Sequence, residues 1–70
     1  MEELVFNVTP DEFDGGFVAV AVGESIVTQG DTWDELRDMV MDATKLYFED
    51  SVAPQRIRLH LHLEQVLATA

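Results

Sequence analysis

Two histidines one residue apart, His60 and His62, lie in the run Arg58-Leu59-His60-Leu61-His62-Leu63-Glu64. In an extended segment, residues two apart share a face, so both imidazoles point the same way and are spaced to grip one metal ion. Two imidazoles fall short of the ligand set that zinc takes, and Arg58 and Glu64 on the same side also fit a solvated polar row. Across a twofold axis the pair would become four ligands. Metal binding at His60 and His62 therefore stands as the alternative, while the leading expectation is a structural or interfacial row with no metal and no cofactor. Cysteine is absent, which excludes disulfides, thiolate metal sites and thiol catalysis.

Carboxylates are the other chemical resource. A two-metal hydrolytic centre would need carboxylates carried on strands near the middle of a sheet. Asp31, Asp34 and Asp42 lie elsewhere, and the first three strand-like segments carry no carboxylate except Glu3 at one end. Asp31 and Asp34 are better explained by electrostatics at a helix start. No convergent acid, base and nucleophile set emerges, so the chain is expected not to be an enzyme. Asp34, Asp38 and Asp42 instead recur every fourth residue, which lines them along one helix face where they could meet a basic partner.

The charge balance points the same way. Asp and Glu number 14 against 4 Lys and Arg, for a formal charge of −10. Such a field repels phosphate backbones, so direct nucleic-acid binding is not expected. It attracts a basic protein and speeds the encounter. No apolar run reaches the roughly 18 residues that span a bilayer, and Met1-Glu2-Glu3 lacks the positive start of a secretory signal, so a cytoplasmic protein without membrane contact is expected.

These groups must be positioned by few elements, because 70 residues make one domain, residues 1–70. Leu4, Phe6 and Val8 alternate with Val5, Asn7 and Thr9, the period of a strand over residues 3–9. Pro10 through Gly16 breaks it with turn-forming residues. Phe17 to Val22 predicts a second strand, with valines on one face and Phe17, Ala19 and Ala21 on the face a helix can approach closely. Gly23-Glu24-Ser25 turns into a third strand over Ile26 to Gln29. Thr32 and Glu35 then form a capping box, with acidic residues at the positive end of the helix dipole. Leu36, Met39, Val40, Ala43, Leu46 and Tyr47 give the expected buried stripe of that helix, and Trp33, Met41 and Phe48 lie off it on a second candidate surface. Past Pro54, Ile57, Leu59, Leu61 and Leu63 alternate with polar residues as a fourth strand, which Val66, Leu67 and Ala68 either extend or leave as a tail.

The order strand, strand, strand, helix, strand with a right-handed crossover predicts an α+β fold. Its four-stranded mixed sheet has order 3-2-1-4, with one helix on one face. The other face stays open, with Val5, Val18, Val20 and Val22 beside Arg58, His60 and His62. An exposed valine row rimmed by polar groups marks a binding or self-association surface, so Val18, Val20 and Val22 join the acidic helix face as candidate contacts. So small a core, without disulfides, also favours a homo-oligomer.

The segments Gly15-Gly16-Phe17-Val18-Ala19, Thr28-Gln29-Gly30-Asp31-Thr32 with Glu35-Leu36, Asp42-Ala43 and Leu46-Tyr47-Phe48 resemble the HicB-like antitoxin family, over Phe6 through Phe48. The resemblance implies a partial ribonuclease H-like β-β-β-α-β fold. It also implies that the protein binds and neutralises a small basic HicA-like toxin, of double-stranded-RNA-binding fold, that cleaves mRNA. Typical members continue into a DNA-binding module; here the sequence stops at Ala70 after the fourth strand, so operator binding is not expected. The alternative, from another class, is a self-associating small-molecule or metal sensor with its cavity at a subunit interface.

Overall fold

The computed structural model describes residues 2–64 and 66–69. It contains β1 (Glu3–Pro10), β2 (Phe17–Ala21), β3 (Val27–Gly30), α1 (Trp33–Tyr47) and β4 (Arg56–Leu61). The sheet order is β3-β2-β1-β4, antiparallel except for the parallel β1–β4 pair, as the crossover rule requires. β1 runs one residue further than its alternation predicts, while β2 ends before Val22 and β3 starts after Ile26. Residues 62–64 and 66–69 belong to no helix or strand, so Val66, Leu67 and Ala68 form a tail rather than an extension of β4.

One sheet face carries the core. Leu4, Phe6 and Val8 on central β1 are sealed by Ala19 and Ala21, by Ile26, and by Leu36 and Val40 of the helix. The alanines serve as expected, because their short side chains let α1 sit close to β2. Thr32 caps the helix, its hydroxyl accepting from the Glu35 backbone N–H at 3.1 Å, with Asp34 and Glu35 in the first turn.

The helix is rotated from its expected setting. Leu36, Val40 and Thr44 are buried, with Trp33, Ala43 and Phe48 packed beside them, whereas Met39, Leu46 and Tyr47 are exposed. At 3.6 residues per turn this moves the buried axis by roughly 50° toward Trp33. Two contacts account for it. Trp33 packs edge-on against Phe17, ring centroids 5.4 Å apart, and pins the first turn to β2. Tyr47 stays outside the core and donates its hydroxyl to Glu24 Oε2 at 2.9 Å. Trp33 and Phe48 therefore belong to the core side rather than to a free flank, where Met41 alone of the three remains exposed.

α1 packs chiefly on β3 and β2. Glycines set this placement. Gly16 has φ +79°, and a Cβ there would overlap the Gly30 carbonyl oxygen and lie 2.8 Å from Asp31 Cα. A Cβ on Gly30 would lie 2.5 Å from the Leu36 backbone nitrogen. Three backbones thus touch where β2, β3 and α1 meet.

Two stability predictions follow from this packing. Gly30→Ala forces β3 off the helix and costs about 3 kcal/mol, seen as a lowered urea midpoint. Thr44→Val removes a buried hydroxyl that has no hydrogen-bond partner among the described residues, and raises stability by about 1 kcal/mol in the same titration.

Candidate functional site

The candidate residues fall on two opposite sides of the molecule. Asp34, Asp38 and Asp42 follow the i, i+4, i+8 row of α1 and are exposed. Asp34 lies 3.7 Å from Arg37, both largely in solvent, so that ion pair is weak and leaves the row acidic. This strip faces away from the sheet.

The valines occupy the reverse side. Val18 is half-buried on β2, Val20 is exposed, and Val22, just past the end of β2, is exposed while its N–H donates to the Val5 carbonyl at 2.8 Å. Cross-strand register adds a residue that the pattern of β2 alone does not reveal. Val27 pairs with Val20 and is 69% exposed, so the apolar patch runs from β1 through β2 onto edge strand β3. Asn7, Thr9 and Gln29 share this face by alternation from the paired positions.

β4 supplies the basic margin. Arg56 and Arg58 converge on one carboxylate, that of Glu3 on β1. Arg58 Nε donates to Oε1 at 2.8 Å and Nη2 to Oε2 at 3.2 Å, and Arg56 Nε donates to Oε2 at 3.0 Å. The hydrogen bond from Arg58 holds the Glu3 carboxyl below its ordinary value, and the reverse effect raises the Arg58 guanidinium. Glu3 was legible only as a carboxylate at a strand end; its pairing spans more than fifty residues and appears only once β4 lies beside β1.

His60 and His62 share the open face as expected, with ring centroids 4.4 Å apart. His62 Nε2 lies 3.1 Å from Asn7 Oδ1. That carboxamide oxygen is an acceptor, so the contact is made when Nε2 carries a proton. Among the described residues of one chain, no three His, Cys, Asp or Glu side chains converge as a metal site.

On the helix side, a shallow groove of about 240 Å³ opens between α1 and β4, lined by Arg37, Asp38, Val40, Met41, Ile57 and Leu59. It exists because the helix is displaced toward β3 and leaves the inner face of β4 half-covered. Among the described residues, no helix is long and apolar enough to cross a membrane.

Two relatives are similar in sequence over most of this chain. A UPF0150 protein of Thermotoga maritima is 43% identical over 56 residues, covering 80% of this chain and 77% of its own length. A UPF0150 protein of Archaeoglobus fulgidus is 42% identical over 55 residues, covering 79% of this chain and 80% of its own. No family model matches the chain, and no solved structure does.

The Glu3 clamp makes stability depend on acid pH. A carboxyl with a depressed folded value contributes fully above its ordinary value near 4.5 and loses that contribution as pH falls through the depressed one. Glu3→Gln is expected to be less stable than the parent at pH 7, with a shallower loss of stability below pH about 5. Thermal melts across pH 3 to 7 check it, and parallel pH profiles for the two proteins would exclude the clamp as the cause.

Proposed function

The chain belongs to the UPF0150 family, and we propose that it is a non-catalytic protein-interaction module that binds and neutralises a small basic, mRNA-cleaving toxin. The observation that carries this reading is the exposed carboxylate row Asp34, Asp38 and Asp42 on α1, in a chain of net charge −10. Surface carboxylates at this spacing present a continuous negative ridge to a partner built to hold RNA. Complementary fields of this kind accelerate docking and exclude acidic competitors. The motif that suggests an antitoxin resides largely in residues with structural work: Gly16 and Gly30 permit backbone contact, and Thr32 with Glu35 starts the helix. Recognition of the toxin is therefore assigned to the solvent-facing carboxylates Asp34, Asp38 and Asp42 instead. The open valine face, on the reverse side, is left for a different contact.

The test uses a purified basic ribonuclease toxin of double-stranded-RNA-binding fold and a defined mRNA. The parent protein is expected to suppress cleavage, with affinity falling about tenfold or more as salt rises from 50 to 300 mM. Reversing Asp34, Asp38 and Asp42 to Lys should weaken inhibition by about a hundredfold while the helical circular dichroism is retained. Undiminished cleavage at micromolar parent protein, or inhibition indifferent to both salt and charge reversal, would overturn the proposal.

A further inference from the structure

β4 is an edge of the sheet, and its outer side is unprotected among the described residues. Arg56 N–H and His62 N–H donate inward to the carbonyls of Glu2 and Val8. Strand alternation therefore turns the N–H and C=O groups of Ile57, Leu59 and Leu61 outward, and pairing with a second strand would carry the same alternation on to Leu63. Edge strands are usually shielded by proline, a bulge or a covering segment, because free backbone groups invite another strand. β3, the other edge, is only four residues long and ends at Gly30 beneath the helix. β4, at six residues, is longer and lies open.

The sequence along that edge is complementary to itself when reversed. With Leu61 opposite Leu61 of a second copy, Leu59 meets Leu63 and Arg58 meets Glu64 of that copy, and His60 meets its His62. The hydrogen-bonding pattern agrees independently, since in this antiparallel register the leucines fall at hydrogen-bonded positions and are the residues whose backbone groups point outward. The polar residues fall at the intervening non-hydrogen-bonded positions, where side chains approach most closely. Arg58 uses Nε and Nη2 for Glu3, and Nη1 is uncommitted among the described contacts, so it can donate to a second carboxylate across the interface. The leucines lie on the helix side, where Leu63 of one copy would cover the half-exposed Leu59 of the other beside the groove.

We propose that two copies of this chain pair through β4 in an antiparallel register centred on Leu61, and that His60 and His62 of both copies form a four-imidazole site for a divalent transition metal such as zinc. Each copy alone provides too few ligands. The twofold brings both pairs onto one face, with cross-strand Cβ atoms about 5 Å apart, a spacing from which four imidazoles can surround one ion. With Nε2 donating to the Asn7 oxygen, Nδ1 of a neutral His62 would be the nitrogen available to a metal. The charge pattern suits self-pairing too: two of the chain's 4 Lys and Arg lie on β4, so this is the least repulsive place for two acidic molecules to meet. The pairing edge and the histidine face are distinct from the acidic row proposed for the toxin, of which Asp38 alone borders the groove beside Leu59.

Equilibrium sedimentation at micromolar concentration is expected to show a dimer that zinc tightens by about tenfold or more. Cobalt(II) should give the visible absorption of a tetrahedral site at about one ion per two chains. His60→Ala/His62→Ala should abolish the metal response. Glu64→Arg faces Arg58 of the second copy with like charge and should weaken dimerisation about thirtyfold, while the exposed position spares the monomer fold. A parent protein that is monomeric with and without zinc would overturn the pairing. A dimer insensitive to Glu64→Arg would refute this register, and a dimer that takes up no cobalt would refute the metal site.

Discussion

The contact of three backbones at Gly16, Gly30 and Leu36 governs where the helix lies, and most other features depend on that placement. With no side chain at Gly16 or Gly30, β2, β3 and the first helical turn approach to van der Waals distance, and Trp33 locks the turn against Phe17. The helix is thereby drawn toward the β3 side of the sheet. It seals Phe6 and Val8 on the central strand but reaches β4 only partly, so Ile57, Leu59 and Leu61 remain half-covered. A helix centred over β1 would have closed the groove and left only the reverse face of the sheet available.

A second constraint holds β4 in place despite that thin cover. Its parallel pairing with β1 must close a long crossover through α1, and parallel pairs give slightly less per residue than antiparallel ones. The Glu3 carboxylate, gripped by Arg56 and Arg58, fastens the start of β1 to β4 on the open face while the leucines pack behind. The same clamp neutralises much of the positive charge on β4, which leaves the histidines as its most available polar groups. Stability and surface chemistry are therefore set by one cluster at this edge.

Much of this was legible in the sequence where local periodicity decides. The alternation of Ile57, Leu59 and Leu61 with Arg58, His60 and His62 fixed both the strand and its two faces, and Thr32 with Glu35 fixed the helix start. The orientation of α1 was less legible, because Met39, Leu46 and Tyr47 are as apolar as the residues that are buried. Selection among them came from Phe17 meeting Trp33, a contact between elements, and from a polar Thr44 taking an inner position. Val27 was hidden for a related reason: only the β2–β3 register shows that it continues the patch of Val20. The Glu3 clamp required knowing that the two ends of the chain are neighbours. The family-like motif was easily seen, and its glycines and cap are demanded by packing.

Self-pairing through β4 would bring the two sides of the molecule into one design. A twofold axis normal to the sheet keeps like faces together, so the two helices would lie on one side of a continuous eight-stranded sheet and the histidines and valines on the other. Each helix would still present Asp34, Asp38 and Asp42 to solvent, because the strip lies on the surface of α1 turned away from the sheet. Two acidic ridges held at fixed separation act with an effective concentration that a single ridge lacks, and a partner able to touch both gains avidity without new contacts. Net charge opposes the assembly of two such acidic chains, and that opposition is what gives a metal ion leverage: a divalent cation bound among four neutral imidazoles adds positive charge at the centre of the interface. Metal supply would then tune how many paired ridges a basic partner meets, by an interaction placed on the face that partner does not use.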